Sequence, residues 1–509
     1  MGILNIVILV LLVLMIFLSQ NICFAFFQES SYHLTYYLKL LKKYYLSDWA
    51  IILLIVFFIL LFYLNLYTQI CLLVLLCIYS IKEYNSFKSK IVKYKYTKRI
   101  IRLNIFTFIV CFICCLIFRN NFQKVFLIFG LLMPFISLIS LVALLPIERL
   151  INLYYKKKAY DKLTRCSPII IAITGSYGKT STKNILYEML KKKYIVYKTE
   201  KSYNTVNGIA KSINNNLNIT SEIAIFEVGI SHVGDMKKIM GLVKPDYVII
   251  TDIGPQHLKT MKTIENIVNE KMSILNYLKD NGVAIINSDS KYIQSYVIKQ
   301  NINKIKVGIG KWADYRAKNI SYNENGLNFS IESNKEKLNV KTKLLGRHNI
   351  YNIMFSTVVS LELGLSKTQI EEVITSLKPI NNRLEVKIEG DLTILNDGYN
   401  SNEVGFMNAL EVLSFYKKYR ILITPGIVEG GESAEEINSK VAIYSMDVCD
   451  EVYLCDSVST DYFVKIYKER GFEKYKIMNN FKEAFDIVLN MNKERVVLIE
   501  NDITDIYKK

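Results

Sequence analysis

The chain has 509 residues, is 51% hydrophobic and carries a formal net charge of +18, enough length for two to four domains. The charge does not point to nucleic acid. Its densest basic stretch, Lys82 to Arg102 with eight Lys/Arg against one Glu, lies between apolar runs, and the remainder has no Arg-rich stripe or aromatic stacking motif. Nine cysteines argue for neither a disulfide scaffold nor a zinc site: six (Cys23, Cys71, Cys77, Cys111, Cys114, Cys115) sit in apolar runs, and Cys166, Cys449 and Cys455 are scattered.

Residues 1–150 read as an α-helical membrane domain of about five spans. Ile3 to Phe26 is nearly all apolar and long enough for a hydrocarbon core of ~30 Å. It has neither the basic start nor the small-residue cleavage site of a secretory signal. Trp49 to Ile81 as one helix would be ~50 Å long, so two short spans meeting near Asn65 fit better. Asn104 to Phe118 and Val125 to Leu145 add two more, the last containing Pro134, which a membrane helix tolerates. Lys39, Lys42 and Lys43, the Lys82 to Arg102 stretch, and Arg149 with Lys156 to Lys158 are expected on the cytoplasmic side. Only Arg119 and Lys124 mark the opposite loop. This orientation puts the N-terminus outside and everything after the last span in the cytoplasm, where ATP is.

From Pro146 onward charge is mixed, and the first boundary is expected between Pro146 and Cys166. Pro168 to Ile173 reads as a strand, Thr174 to Gly178 as a turn, and Thr180 to Lys191 as a helix with Ile185, Leu186 and Leu190 on one face. A strand, a glycine turn and a helix in that order direct backbone N–H groups and a helix N-terminus at an anion. The spacing is G-x-x-G-K-[ST]; the longer common loop would need Gly where Ile173 stands. Gly175, Ser176, Tyr177, Gly178, Lys179, Thr180 and Ser181 are therefore candidate nucleotide-binding residues. Lys179 would reach the β- and γ-phosphates, and the Thr180 hydroxyl would hold Mg²⁺. Taken alone the stretch is also compatible with a plain turn and a solvated Lys179, although a lysine at the positive end of a helix gains nothing structurally.

Ile223 to Ile230, "IAIFEVGI", is a buried-strand pattern ending in Glu227, and a carboxylate at the C-terminal end of a strand beside a phosphate loop is placed to hold a divalent ion. Pro245 to Leu258, "PDYVIITDIGPQHL", is another strand and turn, carrying His257.

These segments together resemble the Mur ligase family, the ATP-dependent enzymes that join amino acids to peptidoglycan precursors. The resemblance runs from about Ser167 to the C-terminus. It implies that Glu227 binds magnesium, that His257 binds a second Mg²⁺, and that Lys271 in "ENIVNEKMSIL", carbamylated, helps to hold it. "AIINSDS" is similar to the segment that faces adenine, with Asn287 and Asp289. "GRHNIYN" resembles the start of a helix across the nucleotide site, where His348 and Asn349 are equally readable as capping residues. "NNRLEV" and "LNDGYNSN" match a domain junction, where Arg383 and Asp397 would complete the ATP site on closure, beside Tyr399 and Asn400. His232 also falls in a family-like segment.

The implied layout is a central P-loop, parallel-sheet ATPase domain over 166–378, with a β-rich insertion near Lys306 to Val340. A smaller Rossmann-like α/β domain follows over 379–509, with strands at Arg420 to Thr424, Glu451 to Cys455 and Val496 to Glu500. Among the family, the branch that adds D-alanyl-D-alanine is most similar. The chain departs from it in two ways. Membrane spans stand where the acceptor-binding domain would be, and "ITPGIVEGG" and "LIEND" replace the usual C-terminal pattern. The expected activity is amide ligation of an amino acid or dipeptide to a cell-envelope carboxylate, lipid-linked or soluble, with ATP and Mg²⁺. A polyglutamate-type ligase and a membrane scaffold with a regulatory nucleotide site are the alternatives.

Overall fold

The computed structural model describes residues 20–28, 96–117, 122–200, 202–256, 258–298, 301–398, 402–428, 433–455 and 457–501, with a few single positions before residue 40. The chain divides into two compact units, residues 1–152 and a larger one from Leu153 onward.

In the first unit, helix α1 (Lys98–Ile117) contains most of the expected Asn104 to Phe118 span, and Val125 to Leu145 lies inside helix α2 (Phe122–Cys166). Trp49 to Ile81 and most of Ile3 to Phe26 lie outside the described residues. Among the described residues one stretch, Leu132–Cys166, is long and apolar enough to cross a membrane. α2 runs through both Pro134 and Pro146, so the boundary expected from composition lies within a helix. Each proline deletes one intrahelical hydrogen bond, a local loss that a long helix tolerates where neighbouring groups re-satisfy the freed carbonyl. Phe24, Phe26, Phe27 and Tyr37 pack with Ile100, Leu103, Leu141 and Leu144, and Arg102 grips Glu148 with two hydrogen bonds of 2.7 and 2.9 Å. On the other side of α1, Ile105, Phe108, Phe112 and Leu116, spaced at helical period, are each more than half exposed.

The second unit holds two sheets. The first contains β1 (Ile169–Thr174), β2 (Val196–Lys198), β3 (Ile223–Glu227), β4 (Tyr247–Ile250), β5 (Val283–Asn287), β6 (Asn303–Gly308), β7 (Tyr315–Asn323), β8 (Gly326–Glu332) and β9 (Lys337–Thr342), in the order β2-β3-β1-β4-β5-β6-β7-β8-β9. Pairing is parallel as far as β7 and antiparallel from β7 to β9. The β-rich segment read as an insertion is therefore an antiparallel extension of the same sheet. β1 sits between β3 and β4, where the strand order reverses, the place at which open α/β sheets form ligand crevices beyond the strand C-termini.

Both faces of this sheet are covered, which explains the unbroken apolar strands. On one face helix α3 (Lys179–Leu190) buries Ile185, Leu186 and Met189 with Ile171 and Ile173 of β1, and with residues of a later helix. On the other, helix α4 (Val206–Asn216) contributes Ile209 and Ile213, packed with Ala172, Phe226 and the last turns of α2 through Ala159 and Leu163. Lys162 donates to the carbonyls of Ile213 and Asn214 at 3.1 and 3.2 Å, closing the C-terminal end of α4. Helix α5 (Ile264–Met272) and helix α6 (His348–Glu362) complete the layers that bear on the loop after β1.

The second sheet has the order β10 (Glu385–Glu389), β11 (Leu392–Asp397), β15 (Arg495–Glu500), β12 (Tyr419–Thr424), β13 (Glu451–Cys455) and β14 (Tyr475–Met478), parallel except for β10 against β11. Its core includes Phe406 and Leu410 of helix α7 (Glu403–Ser414), Val441 of helix α8 (Ala434–Val448), and Leu345 and Leu384.

Candidate active site

The loop between β1 and α3 is shaped by two glycines. Gly175 has φ 146° and a Cβ there would collide with Thr251 Oγ1; Gly178, the helix N-cap, has φ 77° and a Cβ there would lie 2.6 Å from Asn352 Oδ1. Positive φ and close approach both demand glycine. The rest of the loop is pinned from β4. Ser176 Oγ donates to Gly254 O at 3.0 Å and accepts from Gly254 N at 2.9 Å, and Thr251 Oγ1 donates to Tyr177 O at 2.6 Å. Gly178 N-caps α3 without a side-chain acceptor, leaving the first helical N–H groups for a ligand.

Lys179 folds back over the loop, donating to Gly175 O at 2.7 Å and Ser176 O at 3.1 Å. Burial draws its ammonium down to about 8, with Glu227 opposing and Arg383 adding to the shift. At the end of β3, buried Glu227 accepts from Thr180 Oγ1 at 3.0 Å and Lys183 Nζ at 2.9 Å on one oxygen, and from Asn204 Nδ2 at 3.2 Å on the other. Burial works to raise its carboxyl, but the charge and hydrogen bond of Lys183, then Lys179 and Asn204, hold it below the usual value. Lys271, also buried, projects from α5 onto Gly175 O at 2.9 Å. Burial, then repulsion from Lys179, depresses its ammonium well below the ordinary range.

A cavity of about 420 Å³ joins these groups to the second sheet. Ser176 to Ser181, Asn204, Glu227 and Lys271 line one side, and Arg383, Asp397, Asn402 and Glu500 the other, with His348 between. Burial drives His348 down to about 4, helped by the Arg383 charge; burial raises Asp397 to about 6 against the pull of Arg383. Arg383 stands between two residues of left-handed backbone, Asn382 at φ 59° and Leu384 at φ 47°. For a leucine this is a strained conformation, of the kind that persists where surrounding structure enforces it.

Asn287 and Asp289 border a neighbouring cavity of about 360 Å³ with Tyr177, Gly178, His348, Tyr351 and Asn352. The Asp289 carboxylate is committed to the chain itself, accepting from Ile309 N at 2.6 Å, Gly310 N at 3.0 Å and Tyr351 OH at 2.9 Å. Asn287 Oδ1 accepts from Asp289 N at 2.9 Å. Asn349 Nδ2 donates to Leu345 O at 2.7 Å and its Oδ1 accepts from Asn352, so it acts inside the fold. His232 is exposed, against Asp235. His257, Tyr399 and Asn400 lie outside the described residues.

Sequence reading missed Lys183, Asn204 and Asn352. Lys183 lies one turn after Lys179 on the same helix face, which was a usable signal. Asn204 reaches the site from 23 residues before Glu227 with no local pattern to mark it, whereas Asn352, 170 residues after Thr182, closes the recognised segment "GRHNIYN".

Thr180 and Glu227 present hard oxygen atoms side by side beside a phosphate-type loop. Magnesium, which takes one or two protein oxygens and completes its shell with water and phosphate, fits such a pair. Among the described residues no three His, Cys, Asp or Glu side chains gather as an all-protein metal cage. Lys179, Lys271 and Arg383 line the cavity alongside Glu227, Asp397 and Glu500, and Lys183 pairs with Glu227; the cations among them suit a polyanionic nucleotide.

Residues 173–360 match the family model "Mur ligase middle domain". The UDP-N-acetylmuramoyl-tripeptide–D-alanyl-D-alanine ligase of Bacillus subtilis is 28% identical over 335 residues, 65% of this chain and 71% of that one. The crystal structure of a MurF ligase from Thermotoga maritima in complex with ADP superposes with TM-score 0.61 at 26% identity, covering 69% of this chain and 80% of that one. MurF from Acinetobacter baumannii, at 21% identity, shares the fold with TM-score 0.61 over 69% and 77% of the two chains.

Proposed function

The chain is a Mur ligase, an ATP- and Mg²⁺-using carboxylate–amine ligase, and from that premise we propose that it joins D-alanyl-D-alanine to the peptide carboxylate of a peptidoglycan precursor. The observation that carries this reading is the cavity that brings Lys179, Thr180, Glu227 and Lys271 from the first sheet opposite Arg383 and Asp397 from the second.

An acceptor carboxylate oxygen bonds to the γ-phosphorus as the bond to the β,γ-bridging oxygen breaks, giving an acyl phosphate and ADP. The amine nitrogen then bonds to the acyl carbon, the carbon–oxygen bond to phosphate breaks, and the amine gives up a proton. The N–H groups at the start of α3 and the Lys179 ammonium bind and orient the transferring phosphoryl. Thr180 and Glu227 would hold Mg²⁺, which supplies charge neutralisation when bound. Arg383, opposite Lys179 in the cavity, adds charge from the second sheet when the two sides close. By resemblance, Asn287 and Asp289, beside the neighbouring cavity, would face the base.

By resemblance, a second Mg²⁺ belongs to His257 and Lys271. An ammonium resting on a carbonyl, as Lys271 does on Gly175, is no cation ligand. The role is therefore assigned to its carbamate, which a thiol-free, bicarbonate-dependent mass increase on Lys271 would reveal.

We further propose that residues 1–150 anchor the enzyme in the cytoplasmic membrane, with the ligase on the cytoplasmic side and a lipid-linked acceptor. The exposed apolar face of α1 and the positive flanks of the apolar runs support this reading. Purified full-length protein is expected to form the amide, read by mass spectrometry, from ATP, D-alanyl-D-alanine and a muramyl tripeptide. Equal rates with soluble UDP-linked and lipid-linked acceptors would overturn the lipid part. Product with glutamate in place of the dipeptide would redirect the assignment to a polyglutamate-type ligase.

A further inference from the structure

Lys183 is among the largest fully buried side chains of the protein, and its ammonium sits 2.9 Å from Glu227 Oε2, both side chains being 2% exposed. The same carboxylate oxygen accepts from Thr180 Oγ1, and the other accepts from Asn204. Glu227 is thus supplied with donors on both oxygens by the protein itself, one of them a full positive charge. A buried charge of this kind is expensive unless it is paired, so its position one turn beyond Lys179 on α3 is not incidental.

We propose that Lys183 is a positioning residue that makes the Glu227 site dependent on nucleotide. Its ammonium fixes the rotamer of Glu227 toward Thr180 and cancels the carboxylate charge, so that a bare divalent cation gains too little to bind. The cation enters only as its nucleotide complex, whose phosphates supply the missing negative charge, and it leaves with ADP at the end of each cycle. Such a coupling prevents the site from being blocked by a metal ion left behind. This inference rests on the reading of Glu227 as a magnesium ligand.

The test uses full-length protein and Mn²⁺ as the probe, with free Mn²⁺ followed by electron paramagnetic resonance, first without nucleotide and then with ADP. Wild-type protein binds Mn²⁺ with ADP and at least tenfold more weakly without it. Lys183→Met and Lys183→Gln are expected to bind Mn²⁺ alone at least tenfold more tightly than wild type. Lys183→Arg, which keeps the charge, stays within about twofold of wild type. A lysine serving only the fold would lower the unfolding temperature and leave Mn²⁺ affinity of the folded fraction unchanged, which overturns the proposal. So does an Arg variant that binds bare Mn²⁺ at least tenfold more tightly than wild type, a reading available even where the uncharged variants do not fold. Glu227→Gln separates the two layers of argument: if it binds Mn²⁺ with ADP as wild type does, the magnesium role of Glu227 itself fails.

Discussion

Tyr322 on β7 and Glu411 on α7 are joined by a 2.8 Å hydrogen bond from the phenol to the carboxylate, the first residue lying in the nine-stranded sheet and the second on a helix of the six-stranded one. Phe415 meets the same ring edge-on at 5.4 Å, and the Arg347 guanidinium lies 5.5 Å from its centroid. Tyr322 is thus a small latch at the rim of the cavities that both halves line.

Tyr322→Phe removes the hydrogen bond and keeps the ring. A loss of about 1–2 kcal/mol is expected, because the acceptor is charged. The same loss in Glu411→Gln, with the double variant no worse than either single one, would identify the pair as the unit responsible. If the latch bears on closure, KM for ATP rises in both variants while the unfolding temperature moves only a few degrees.

Gly178→Ala is expected to destabilise the fold by about 1–2 kcal/mol from left-handed backbone alone. The new methyl also presses on Asn352 Oδ1, the acceptor of the 3.1 Å hydrogen bond from Thr182. Chemical denaturation of the variant measures the first effect. A loss of ADP affinity beyond tenfold measures the second, since the loop can no longer hold its shape.

Lys179→Met leaves the loop carbonyls of Gly175 and Ser176 without their ammonium donor and deprives bound phosphate of a charge-assisted contact. Weakening of ADP binding by roughly 10- to 100-fold is expected from the loss of ~1.5–3 kcal/mol. Ligase activity should vanish with the protein still folded; calorimetry with ADP and circular dichroism separate the outcomes.

Two groups in the cavity respond to acid with opposite sign. His348 falls from 6.5 to about 4 on folding, so the unfolded chain binds the extra proton. Its contribution to stability is complete above 6.5 and is lost as pH drops toward 4. Asp397 rises from 3.8 to about 6, so the folded chain binds the extra proton, and its contribution is complete below 3.8 and is lost as pH climbs toward 6. Between pH 6 and 4 the two oppose each other. His348→Gln should therefore flatten the acid fall in unfolding free energy, and Asp397→Asn should steepen it. Parallel changes in both variants would contradict this account.

Much of this was readable from local pattern. The glycine spacing from Gly175 to Gly178, the apolar run of β1 and the periodicity of α3 are all short-range, and a loop that binds phosphate through its backbone has to be short-range. Glu227 was legible for the same reason, as an acid closing an apolar strand. The pairings that tune these residues were not: the one-turn spacing from Lys179 puts Lys183 on the right helix face, but it meets Glu227 across 44 residues and Asn204 does so across 23, distances over which sequence carries no period. Asp289 shows the converse. Its segment was recognisable, but that its carboxylate accepts from Ile309, Gly310 and Tyr351 depends on how β6 and α6 come together. The change in composition at Pro146 marks the start of an interval, Pro146 to Cys166, within which the chain divides at Asn152 and Leu153, although one helix runs through it unbroken.

The final turns of α2 place Ala159 and Leu163 among the residues beneath β1 and β3, with Lys162 closing the end of α4. A recombinant fragment started at Ser167, where the family-like sequence begins, would therefore open a gap in its own interior and leave two helix-end carbonyls bare. One started at Leu153 would retain them, and its yield and melting temperature should exceed those of the shorter version. For this protein, the edge of the recognisable motif and the edge of the foldable piece are different residues.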